Sequence, residues 1–195
     1  YRACIKEAAT GGAVLMQAML ARALRELPEK AARIADVVER NLLLEAVAVL
    51  REQQDALANA FPQTLLAESA QAIAGGRASA LGFDALSILG DEQMQENADL
   101  VRAAKVLEAA VQPQLDAFET ALAAAELTPA GGLQRHPLRP EVYVRSIWRL
   151  ARQSPVSGAV RRRWLRYLPP LMAPELAQAY ASLAQRLPPA GARRT

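Results

Sequence analysis

The chain of 195 residues has few of the side chains that enzymes and metal sites use most. Its one cysteine, Cys4, and one histidine, His136, cannot supply an internal disulfide or a zinc or copper site of the usual Cys/His type. No G-x-S-x-G or comparable nucleophile motif accompanies the histidine. We therefore expect a protein that is not an enzyme and needs no cofactor, and cysteine usage favours the cytoplasm.

Long uncharged runs and phosphate-binding loops are also missing. The longest uncharged run near the start, residues 8–21, is too short to span a bilayer. The glycine pairs at 11–12 and 75–76 lack the lysine and the preceding strand that a phosphate-binding loop requires. Because the chain does not begin with methionine, we expect it to be a piece of a longer bacterial protein.

The composition favours helices over strands. Aromatic residues make up only 5% of the chain and β-branched residues are sparse, whereas alanine and leucine dominate. Proline followed by glutamate, which suits the first turn of a helix, occurs in LPEK at 27–30, RPEV at 139–142 and APEL at 173–176. The sequence predicts an all-α bundle of about six to seven helices, two of them long and the rest short. The predicted helices cover about 1–26, 28–60, 62–74, 91–127 with a break or kink at Pro113, 140–153, 155–168 and 173–187.

Charge divides the chain into two unequal parts. Residues 1–130 hold 11 basic and 18 acidic side chains, a net charge of −7, whereas residues 131–195 hold 12 arginines and two acidic residues, a net charge of +10. We expect an acidic long-helix bundle over 1–127, a loop over 128–140, and a basic three-helix segment over 141–195 that packs on the bundle within one domain. Such asymmetry bears on partners rather than on fold.

Periodicity separates the arginines of the last third from its apolar side chains. In the predicted helix 155–168, Val160, Trp164 and Leu168 recur every four residues and should face the core. In the predicted helix 140–153, Glu141 precedes Arg145 by four residues, which favours a stabilising ion pair. The candidate surface for contact with a partner or an anion consists of the arginines on these two helices, namely Arg145, Arg149, Arg152, Arg162, Arg163 and Arg166.

Three interpretations of this basic region stay open. The arginines could dock on the acidic bundle or keep the surface soluble, they could contact an acidic protein or a neighbouring domain, or they could bind the phosphates of a nucleic acid or nucleotide. Arginine suits all three roles because its planar guanidinium binds carboxylates and phosphates bidentately.

An acidic helix face and the single histidine are both explained without a catalytic or metal-binding role. Glu92, Glu96 and Asp99 share one helix face, and without a Glu-x-x-His element we expect a solvated acidic face that could receive the arginines of the last third. His136 precedes Pro137, which favours an extended backbone, and we expect it to be a structural or solvated loop residue.

The order of segments resembles a proteobacterial family of uncharacterised helical proteins, catalogued as a domain of unknown function, number sixteen thirty-one. The resemblance rests on LSILGDEQMQENADLVRAAKVLEAAVQPQLDAFETALAA, HPLRPEVYVRSIW and LMAPELAQAYASLAQRL within residues 86–187. The family places asparagine before Pro-Leu, where this chain has His136. Members often carry the automatic label "thymidine phosphorylase", which nothing in this sequence supports, and some carry a cyclic-dinucleotide-binding PilZ-type domain whose motif is absent here.

These observations lead to two functional expectations. The first is a non-enzymatic helical protein-interaction or regulatory domain of a larger bacterial cytoplasmic protein, whose arginines contact an acidic protein partner or a neighbouring domain. The alternative is nucleic-acid or cyclic-dinucleotide binding through the arginine-rich C-terminal helices. We expect no membrane span, and a homo-oligomer remains compatible with the sequence.

Overall fold

The computed structural model describes residues 2–78, 91–125 and 136–187, and every regular element within them is an α-helix. The five helices are α1 (Arg2–Ala32), α2 (Val37–Ala78), α3 (Asp91–Ala124), α4 (Pro140–Gln153) and α5 (Gly158–Arg186). The all-α prediction is confirmed. The predicted number of six to seven helices is wrong, and so is the prediction of two long helices, because α1, α2, α3 and α5 span 31, 42, 34 and 29 residues.

The prolines explain the miscount. Pro140 does begin α4, as predicted, but α1 continues through Pro28, α2 through Pro62, α3 through Pro113 and α5 through Pro174. An interior proline costs a helix about 3 kcal/mol, and burying one large apolar side chain repays about 1.5–3 kcal/mol. Apolar residues in the turns before and after these prolines are buried. The free energy gained by burying them is larger than the cost of the hydrogen bond that each proline removes. The buried neighbours of Pro28 and Pro62 are Leu27, Ala31, Phe61 and Leu65.

Polar caps, rather than prolines, mark two of the helix boundaries. The Oδ1 atom of Asp36 accepts hydrogen bonds from the backbone N–H groups of Val38 at 2.8 Å and Glu39 at 3.3 Å, so Asp36 caps α2. Ser157 caps α5, because its Oγ accepts the N–H of Val160 at 3.2 Å. The predicted helix end at the glycine pair 75–76 is also wrong, since α2 extends to residue 78.

The long helices share one core and include both antiparallel and parallel pairs. α1 and α2 are antiparallel, since only residues 33–36 separate them and Gly12 of α1 lies against Phe61 of α2. α1 and α5 are also antiparallel: Arg22 binds Glu175 at 2.6 Å and Glu7 binds Arg186. α3 and α5 run parallel. The C-terminal helix α5 therefore lies beside both α1 and α3.

The short helix α4 packs against α2, α3 and α5. Nine of its 14 residues are buried. Tyr143 of α4 packs edge-on against Tyr180 of α5, with ring centroids 6.4 Å apart, and Tyr180 stacks on Phe118 of α3 at 5.5 Å. Burial raises the pKa of both phenols, which therefore stay protonated, and the Tyr180 hydroxyl donates to the carbonyl of Leu138 at 2.5 Å. These contacts fix the start of α4.

Candidate functional site

The arginines of α4 lie on the one face of that helix that the core leaves uncovered. Arg145 binds Glu141 at 2.7 Å, which confirms the ion pair expected from their spacing. Arg149 reaches across to Glu68 of α2 and donates to its carboxylate at 2.7 Å. Arg152 is exposed and makes no ion pair with any carboxylate in the described part of the chain.

The arginines of α5 are oriented by the packing of Trp164. Trp164 is buried beside Val160 and Leu168, as the periodicity predicts, and its Nε1 donates to the carbonyl of Ala46 in α2 at 2.9 Å. This anchor leaves Arg162 and Arg166 on the exposed face. Arg163 lies at the border of that face, with 18% of its side chain exposed.

A groove of about 530 Å³ runs between α3 and α5, and four arginines line it. We call it the basic groove. Arg102 of α3 lies across the basic groove from the three α5 arginines. The floor of the groove is apolar. Among the residues that the structure describes, Asp99 is the one acidic side chain that lines the groove. The lining residues are Asp99, Arg102, Ala103, Val106, Arg162, Arg163, Leu165, Arg166 and Pro170.

Two carboxylates of the chain, one on α3 and one on α2, neutralise part of this positive charge. Arg102 binds Asp99 at 3.0 Å, three residues earlier on the same helix. Arg163 donates to Glu39 at the start of α2, and Arg166 lies 3.9 Å from the same carboxylate. Arg162 makes no ion pair within the residues that the structure describes. The basic groove therefore keeps an excess of positive charge although parts of it are neutralised.

The six arginines proposed from the sequence do not form one surface. Arg145 lines a different groove, between α3 and α4, of about 440 Å³. The α3 residues at 97, 101, 104 and 108 line that groove, whereas those at 99, 102, 103 and 106 line the basic groove. At 3.6 residues per turn the two sets lie on opposite flanks of the helix. Arg162, Arg163 and Arg166 are thus brought together in one groove, and Arg145 lines another.

Sequence reasoning missed Arg102 and Glu39 as parts of the site. Asp-Val-Val-Glu at 36–39 has the spacing of a helix-capping motif and could have located the start of α2. Asp99 of the predicted acidic face lines the basic groove together with arginines of the last third, but its ion pair is with Arg102 of the same helix. The side chain of Glu92 lies outside the described residues.

Only 7% of the His136 side chain is exposed, so of the two expected roles, structural or solvated, His136 has the structural one. Its Nδ1 accepts the N–H of Leu138 at 3.2 Å, and its ring meets Phe118 edge-on at 5.3 Å. Its Nε2 lies 3.3 Å from a carboxylate oxygen of Glu119, without the alignment of a hydrogen bond, while Arg139 donates to that same oxygen at 3.1 Å. Burial, and then the charge of Arg139, lower the pKa of the imidazole from 6.5 to about 4.

Within the part of the chain that the structure describes, no three His, Cys, Asp or Glu side chains lie close enough together to hold a metal ion.

None of the described helices combines the length and the apolar character needed to cross a bilayer.

Comparisons with known proteins place the chain in a family. A search of curated proteins and a search of solved structures each found no match. One family model matches residues 1–191, and its description is "Protein of unknown function (DUF1631) N-terminal domain". The match agrees with the resemblance seen in the sequence. The chain belongs to this family.

Proposed function

We propose that the chain is a non-enzymatic interaction domain that binds an acidic segment of a partner protein, or of a neighbouring domain, in the basic groove. The observation that carries this proposal is the composition of the groove, in which four guanidinium groups surround an apolar floor and one carboxylate. Arginine forks bind carboxylates with defined geometry, and apolar floor residues can receive an aliphatic side chain between two acidic ones.

The electrostatics of the groove favour a protein over a nucleic acid. A nucleic acid presents an unbroken row of phosphates, whereas Asp99 and Glu39 place negative charge at the groove and beside it. A peptide can place its carboxylates opposite Arg162 and Arg166 and its uncharged residues opposite Asp99. The mixed lining therefore supports an acidic peptide with apolar residues, and single-stranded DNA and a cyclic dinucleotide serve as competing probes in the test.

The test is the binding of a fluorescein-labelled Glu/Leu peptide, followed by anisotropy, with the matching Gln/Leu peptide as its uncharged control. Replacing both Arg162 and Arg166 by alanine should weaken binding roughly tenfold, at about 0.2–1 kcal/mol for each exposed charge contact. The matched control replaces two exposed arginines of α4, Arg145 and Arg152, by alanine, so that the net charge changes equally; Arg145 is paired with Glu141 and lines the groove on the other flank of α3.

Three results would contradict the proposal. The first is equal binding of the Glu/Leu and Gln/Leu peptides, and the second is equal weakening by the groove and control variants. The third is a stronger response to single-stranded DNA or the cyclic dinucleotide than to the peptide. Binding of the peptide should also weaken as salt is added, because salt screens exposed charges.

A further inference from the structure

One carboxylate of the chain itself already lies between two arginines of the basic groove. Arg163 donates from Nη2 to Oε2 of Glu39, and Nη1 of Arg166 lies 3.9 Å from Oε1 of the same side chain. Two of the cations that line the groove thus converge on a single acceptor. Glu39 therefore shows how a carboxylate binds at this position.

The backbone of Glu39 is held in place without help from the arginines. Glu39 is the third residue of α2, and its N–H donates to the capping side chain of Asp36 at 3.3 Å. The cap fixes the first turn of α2, while the glutamate side chain has rotatable bonds that let its carboxylate turn toward water. The ion pair can consequently open without unfolding the helix start.

The contact with Arg163 is also incomplete. Oε1 of Glu39 and Nε of Arg163 are both buried, and neither has a hydrogen-bond partner. An arginine and a carboxylate bind most strongly as a fork with two parallel hydrogen bonds, and only one forms here. A ligand carboxylate that is free to adopt the forked geometry could bind Arg163 better than Glu39 does.

We propose that a carboxylate of the partner segment binds between Arg163 and Arg166 in place of Glu39, so that Glu39 is an internal competitor for the basic groove. The inference rests on the proposed function. Two carboxylates at this position would repel each other, so the incoming group binds only as Glu39 gives up its contacts. Glu39 therefore limits the affinity of the groove for acidic segments.

Glu39→Gln tests this directly, because glutamine keeps the size of the side chain and removes its charge. The variant should bind the Glu/Leu peptide roughly two- to fivefold more tightly, the range expected from one partly exposed ion pair. Glu141→Gln is the matched control: it removes the carboxylate partner of Arg145, changes the net charge equally, and lies away from the groove. It should leave the affinity unchanged. A gain in affinity cannot arise from poor folding.

Each other outcome has a definite meaning. Equal tightening by both glutamine variants would show a general charge effect and would overturn the inference. Unchanged or weaker binding by Glu39→Gln, while replacement of Arg162 and Arg166 still weakens binding, would overturn the inference and leave the proposed function intact. If neither the unaltered chain nor Glu39→Gln binds the peptide, both proposals are wrong.

Discussion

Replacement of His136 by asparagine should remove the part of the acid sensitivity of the fold that comes from its buried imidazole. The buried imidazole has a pKa of about 4, whereas the ordinary value of 6.5 applies once the chain unfolds. Between these pH values the unfolded chain binds a proton that the folded chain does not, so the free energy of unfolding falls as the pH falls. The full contribution is present above pH 6.5 and is lost progressively down to about pH 4.

The size of the effect follows from the two pKa values. Each pH unit between them corresponds to about 1.4 kcal/mol, so the wild-type chain should lose roughly 3 kcal/mol more than a chain without the titrating group. Asparagine suits the position because its side-chain oxygen can accept the Leu138 N–H, as Nδ1 of His136 does at 3.2 Å.

The measurement is urea unfolding of both chains, followed by circular dichroism, in steps from pH 7.5 to pH 4. At neutral pH the asparagine chain should be less stable by roughly 1–2 kcal/mol, because the packing of the ring on Phe118 is lost. This deficit should shrink, and then reverse, as the pH falls. Carboxylates that titrate in both chains cancel in the difference. Stability curves that stay parallel over the whole range would refute the reasoning.

Three further substitutions test the fold at single positions, each by chemical or thermal unfolding. Gly11→Ala should stabilise the chain by about 0.5–1 kcal/mol, because a helical glycine is costly and no atom lies within 4 Å of the added carbon; a loss of stability would contradict the packing of α1. Ser157→Ala should destabilise it by about 1 kcal/mol through loss of the cap on Val160, and no effect would show that α5 does not depend on that cap. Trp164→Phe should cost about 1–3 kcal/mol, because the indole hydrogen bond to the Ala46 carbonyl and part of the buried ring are lost; an unchanged midpoint would contradict the contact between α5 and α2.

The local features of the last third could be predicted from the sequence. The buried face of α5 and the ion pair between Glu141 and Arg145 depend on residues three or four apart, and helical spacing alone brings such residues together. The helix start at Pro140 could also be predicted. Proline at the first helical position loses no hydrogen bond, and the glutamate that follows interacts favourably with the positive end of the helix dipole.

Features that depend on competing energies or on distant packing could not be predicted. The sequence shows that Pro28 and Pro62 disfavour a helix interior, but it does not show how much apolar surface their neighbours bury. The contact between Glu39 and Arg163 joins residues 124 positions apart, and it exists because α5 packs against the start of α2. Arg102 was overlooked for the same reason, since only the parallel packing of α3 and α5 brings it opposite Arg162.

The position of the bound peptide is the most direct test of the central claim. Amide hydrogen exchange with and without the Glu/Leu peptide should show slower exchange over residues 99–106 of α3 and 162–170 of α5, the two walls of the basic groove. Exchange over residues 141–152 of α4 should stay unchanged. Slower exchange along α4 instead, or no protection of either wall at a peptide concentration that saturates binding, would contradict the account.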